Sequence, residues 1–216
     1  MRRPAVAATA LALALTACGG GNGSTDGSAD STPTSRPTVP TTKPQSVPAA
    51  KNSPAALILC DVPSGFVLQS EARTDTGPVD FAKAVRDDVA ANGEQALRNA
   101  GFVDGYQRTW TSVGGLDRNT VLLYRFRSPA GAAGYADHWL STLSAEGGGV
   151  TPRVFEPPLI AGGIGVTADF AGATTAVVVV PRGTYAVQAV VEGASGTNPE
   201  NAAAALAGAQ LARLPA

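Results

Sequence analysis

From Val121 to Arg127 the chain alternates with a period of two: Leu122, Tyr124 and Phe126 fall on one side, Val121, Leu123, Arg125 and Arg127 on the other. That period belongs to a β-strand with both faces in use. Tyr106 to Ser112 is equally rich in aromatic and β-branched residues, and a glycine-containing turn separates it from a strand over Thr120 to Arg127, so the two predict a hairpin. A second pair follows at Thr175 to Val180 and Thr184 to Val191, separated by Pro181-Arg182-Gly183, with Tyr185, Val187, Ala189 and Val191 on one face. Shorter strands are expected at Phe66 to Gln69, after the Val62-Pro63-Ser64-Gly65-Phe66 turn, at Arg153 to Glu156 and at Val166 to Phe170.

Helical spacing takes over between the strands. Phe81, Val85 and Val89 predict a helix from about Val79, and Glu94 to Ala100 a second one stopped by Gly101. Pro129 opens a helix that turns Tyr135, Trp139 and Leu143 to the sheet and dies in Gly147-Gly148-Gly149. Pro199 and the alanine run to Leu214 close the chain with another. Hairpins with interspersed helices predict a single α+β domain over residues 54–216, built on an antiparallel sheet. A parallel nucleotide-binding sheet would need repeated strand–helix–strand units, and the pattern lacks them.

The first 53 residues follow another grammar. Arg2 and Arg3 precede an apolar run from Ala5 to Leu15, which is too short to span a bilayer and reads as a targeting segment. Leu15-Thr16-Ala17-Cys18 resembles the lipobox of bacterial lipoprotein precursors. The resemblance implies cleavage between Ala17 and Cys18, removal of residues 1–17, and a diacylglyceryl thioether on Cys18 that holds the protein to the outer face of the cell membrane. From Gly19 to about Asn52 a Gly/Ser run gives way to a Thr/Pro-rich one through Pro33, Pro37, Pro40, Pro44 and Pro48. Such a segment buries too little apolar surface to offset ordering entropy and is expected to be a disordered tether. It would reach roughly 100 Å in polyproline conformation and average about 30 Å as a coil. Threonines beside its prolines, such as Thr34 and Thr41, suit O-glycosylation.

Charge removes one class of partner. Loss of Arg2 and Arg3 moves the net charge from −1 to −3, and a mildly acidic chain lacks the basic face that nucleic acid requires. Of two cysteines, lipidation would occupy Cys18 and leave Cys60 unpaired, so packing rather than a disulfide must hold the domain. Following Leu57-Ile58-Leu59 and preceding Asp61, Cys60 reads as a small buried hydrophobe rather than a reactive thiol.

Candidate chemistry is sparse. With one histidine and no cysteine cluster, no metal site or cofactor is expected. Asp87 and Asp88 are sequential on a helix and diverge by about 100°, which suits solvation rather than a shared cation. His138 is the one candidate general base, half-buried beside Trp139. No Gly-x-Ser-x-Gly elbow accompanies it, and serines such as Ser144 lack a nucleophile's setting. Ala161-Gly162-Gly163-Ile164-Gly165 lacks the spacing and following helix of a phosphate loop, and reads as a backbone turn needing positive φ or close packing. Arg125 and Arg127 share a strand face and Arg108 lies on the hairpin partner; the three form a candidate anion-binding face, with surface ion pairing as the alternative.

"VPSGF", "GFVDGYQRTW", "LLYRFRSPAGAAGYADHW", "PPLIAGGIG", "RGTYAVQAVV" and "AGAQLARL", behind a lipobox and a Thr/Pro linker, resemble exported lipoproteins of mycobacteria and related actinobacteria. The resemblance implies an α+β fold of the PsbP/Mog1 type, used for protein contacts, and carries over no catalytic residue. The expected function is that of a membrane-anchored, extracytoplasmic, non-catalytic module binding a cell-envelope protein or lipid. The alternative is a carrier holding a hydrophobic ligand in an apolar pocket.

Overall fold

The computed structural model describes residues 50–71, 76–88, 90, 92–145, 151–170, 172–194 and 198–215. The targeting segment, Cys18, most of the tether, Val89 and the Gly147–Gly149 stop lie outside the described residues. An eight-stranded antiparallel sheet runs in the order β1 (Phe66–Leu68), β3 (Phe102–Ser112), β4 (Arg118–Phe126), β8 (Tyr185–Ala194), β7 (Ala173–Arg182), β6 (Ile164–Phe170), β5 (Arg153–Phe155). β2 (Gly77–Val79) pairs with the same edge of β3 as β1 does, further along: Leu68 sits opposite Trp110 and Gly77 opposite Gln107. The α+β architecture expected from the pattern is the one observed.

Two layers of helix cover the sheet. On one face α4 (Pro129–Leu143), with α2 (Phe81–Asp87) and α3 (Gly93–Ala100) beside it, closes over Leu122, Tyr124 and Phe126. On the other, α5 (Glu200–Leu211) and the short α1 (Pro54–Leu57) close over Val121, Leu123 and Val187. The alternation in β4 therefore separates two cores rather than a core and solvent. Tyr185, Val187, Ala189 and Val191 share the α5 side, as their spacing predicts. Among the described residues no helix is long and apolar enough to cross a membrane.

Some boundaries move. Val79 belongs to β2, and the helix starts at Phe81 because the Asp80 carboxylate caps it, accepting from the Lys83 N–H at 2.8 Å. Pro181 and Arg182 stay in β7, so the turn is the two-residue Gly183–Thr184, with Gly183 at φ 54. The 161–165 loop is a turn of the expected kind: Gly162 has φ 74, and a Cβ on Gly165 would lie 2.2 Å from the Phe155 ring.

Cys60 is exposed, not buried. The extended strap after α1 turns Ile58 and Leu59 inward and Cys60 outward. What holds that strap is Gln210 of α5, which is fully buried: it accepts from the Leu59 N–H at 2.7 Å and donates to the Leu57 carbonyl at 3.0 Å. One step earlier, the Tyr185 hydroxyl donates to the Asn52 carbonyl at 2.7 Å.

Candidate functional site

Arg108 and Arg125 do share the α5 face of the β3–β4 hairpin, but they do not form one site. Arg108 lies opposite Val121, four residues along β4 from Arg125, or about 13 Å. Arg125 makes a two-pronged ion pair with Asp104 directly opposite, at 2.8 and 2.7 Å. Arg108 donates to the Leu59 carbonyl at 3.2 Å and lies 5.8 Å from the Tyr106 ring centroid. Arg127 is exposed beyond the end of β4, its side chain packed along Gly101.

Between α2 and α4 the structure builds a polar cluster that the sequence pattern conceals. Asp87 behaves as expected at the surface, paired with Lys83 one turn back. Asp88 does not. As the C-cap of α2 it turns inward, its side chain 1% exposed. It accepts from the Tyr135 hydroxyl at 3.0 Å and the Ala90 N–H at 3.0 Å, with His138 Nε2 at 3.3 Å. Trp139 Nε1 donates to the Tyr135 oxygen at 2.6 Å. A Cβ on Gly93, the first residue of α3, would lie 2.5 Å from the Asp88 carboxyl carbon, so glycine lets α3 start against the carboxylate. Burial holds the Tyr135 hydroxyl well above the usual phenol range, and neighbouring Tyr124 and Asp88 push it the same way. Tyr124, also buried, is raised for the same first cause.

This cluster braces α4 against the α2–α3 loop. Ser144, the serine weighed as a partner for His138, is the C-cap of α4, about 9 Å further along the axis. Among the described residues no three His, Cys, Asp or Glu side chains come together as metal ligands. A cleft of about 620 Å³ beside β5 and β6 is lined by several polar side chains, most of which are already engaged: Arg153 and Thr167 with Glu200, Thr174 with Asp169.

The other exceptional region is apolar. Val62, Val67, Leu68, Val113 and Leu116 are exposed along β1, the segment before it and the β3–β4 turn; Val67 and Leu68 face opposite sides of the sheet, and Val113 and Leu116 are about four-fifths exposed. The Val113 N–H donates to the Gly65 carbonyl, which fastens the turn to the 62–67 segment. Val103 on β3, and Val154, Leu159 and Ile164 of the β5–β6 hairpin, are also exposed. Leading from this corner between α5 and the 59–66 segment is a groove of about 430 Å³, lined at one side by Asn119 of β4. Asn119 Oδ1 is buried without a partner, and so is Nε1 of Trp110, its direct cross-strand neighbour. Sequence reasoning missed Asn119. The available signal was an amide at the start of a strand whose next residues, Thr120 to Leu123, are β-branched or apolar.

No protein-family model matches this chain, and no curated protein matches it. Among solved structures it is similar to the extracellular domain of PknH from Mycobacterium tuberculosis, at 14% identity and a TM-score of 0.46, over 74% of this chain and 95% of that one.

Proposed function

We propose that this protein is a lipid-anchored, extracytoplasmic, non-catalytic module that binds a protein or other component of the cell envelope through the apolar corner at the β3–β4 turn. The observation that carries the reading is that the β3–β4 turn, fastened to the 62–67 segment, leaves Val113 and Leu116 about four-fifths exposed, the largest exposures among the large hydrophobics of the described residues after Leu159. Large apolar side chains held in water on a fastened turn suit a contact with a partner, since extended exposed apolar patches mark interaction sites. The lipobox-like Leu15–Cys18 supports the anchor, and the joint contact of Tyr135, His138 and the Ala90 N–H with Asp88 supports a bracing role for His138.

A photo-crosslinking residue in place of Leu116, in cells, tests the contact. A discrete adduct is expected, and Val113→Asp should remove it while His138→Ala leaves it intact. Cys18→Ser should release the protein from the membrane fraction. An adduct insensitive to Val113→Asp, or biological activity lost with His138→Ala in a folded domain, would overturn the reading.

A further inference from the structure

The groove between α5 and the 59–66 segment carries chemistry that the contact reading leaves unused. One wall is apolar and rigid, formed by Pro63 and Phe66; the other is the exposed alanine face of α5, including Ala202 and Ala205. Alanines there leave the room that larger side chains would fill. A volume of about 430 Å³ lies within the range of small-molecule sites.

One buried polar side chain that lines it has an atom without a partner, and a second such side chain lies beside it, outside the lining. Asn119 lines the groove, is 8% exposed, and has an Oδ1 that accepts from nothing. Directly opposite on β3, Trp110 is fully buried and its Nε1–H donates to nothing. Paired residues of an antiparallel ladder place their Cβ atoms about 5 Å apart, so the Trp110 donor neighbours the Asn119 acceptor, although Trp110 does not itself line the groove. An unsatisfied buried donor or acceptor is costly, which makes a ligand able to satisfy both strongly favoured. The complementary group must donate and accept at once. It must also carry no negative charge, because the one ionisable side chain lining the groove is the carboxylate of Asp61.

We infer that this groove binds a small apolar molecule through an uncharged amide, whose N–H meets Asn119 Oδ1 and whose carbonyl meets Trp110 Nε1–H. The inference adds a small-molecule ligand to the proposed contact module and does not depend on the apolar corner.

Octanamide, methyl octanoate and octanoate test it, added to residues 18–216 carrying Cys18→Ser. The chain has two tryptophans, so an amide–proton spectrum shows two indole N–H resonances, and Trp139→Phe assigns that of Trp110. Octanamide should shift the Trp110 resonance saturably. The ester, which only accepts, should bind about tenfold more weakly, and the anion more weakly still. Asn119→Leu should abolish the preference for amide over ester. Ala205→Phe, at an exposed position safe for folding, should abolish binding of all three. No saturable shift with octanamide, equal affinity for amide and ester, or binding unaffected by Ala205→Phe would each overturn the inference. Val113→Asp should leave octanamide binding unchanged, so failure of the contact reading and failure of this one are separable.

Discussion

Raising the pH should unfold this domain through two buried phenols, and Tyr135→Phe should change the slope in a calculable way. Tyr124 and Tyr135 are each 1% exposed, and burial raises both above the ordinary phenol value of 10.0. Below that value both states of the chain keep both protons, and the two groups add no pH dependence. Above it the unfolded chain sheds two protons that the folded chain retains, so stability falls as pH rises. The slope is about 1.4 kcal/mol per pH unit for each group, or about 2.7 for the pair. Removing Tyr135 should take its own share, about 1.4 kcal/mol per pH unit, out of the slope, leaving that of Tyr124 and of Tyr106, which burial also raises. The same substitution takes a donor from Asp88 and the acceptor from Trp139 Nε1, so at neutral pH it should cost about 2–5 kcal/mol. Denaturant titrations at steps from pH 8 to about 12, read by far-ultraviolet circular dichroism, give both numbers. Phenolate absorbance followed in parallel should show two tyrosines ionising only as the fold is lost. Equal slopes in the two proteins, or these phenols ionising near pH 10 with the fold intact, would refute the reasoning.

Two further outcomes follow from packing. Gly165→Ala places a Cβ 2.2 Å from the Phe155 ring and should lower stability by about 1–3 kcal/mol, with β5 displaced; an unchanged melting temperature would show that the ring moves freely. Deleting residues 19–49 should leave the melting temperature of the domain unchanged, whereas starting the chain at Ser53 removes the acceptor of the Tyr185 hydroxyl and should cost about 1 kcal/mol; a loss on the first deletion would mean that the tether packs on the domain.

The parts of the fold legible in the sequence are those governed by periodicity. Leu122, Tyr124 and Phe126 alternate with Val121 and Leu123, and the two sets do enter different cores. β2 escaped because Gly77-Pro78-Val79 has too few residues to show a period and contains a proline, tolerated here on a strand lying outside β3. The candidate site was less legible because its polar groups are defined by distant partners. Asp88 reads as half of a solvated acidic pair until α4 brings Tyr135 and His138 over it. Arg125 reads as a free cation until the hairpin register sets Asp104 opposite. Reversing Arg125 to Glu would set two carboxylates side by side, so its effect on binding is inseparable from its effect on the fold. Gln210 is an amide in a largely apolar helix and Asn119 one among polar residues at the start of β4, and no local pattern tells which is satisfied.

The clasp of Gln210 on Leu57 and Leu59 also fixes an order of events. The strap is the first part of the domain to be synthesised and its partner nearly the last, 151 and 153 residues away in sequence. Most of the core beneath α4 is drawn from residues 79–143 and is complete while the rest of the chain is still being made. The opposite face must wait for β8 and α5, exposing Val121, Leu123 and Val187 in the interval. A nascent chain is therefore stickier on the α5 side, while on the other the contact of Ala136 with Val177 and Val179 still waits for β7, and loss of the last few turns leaves the α5 side permanently exposed.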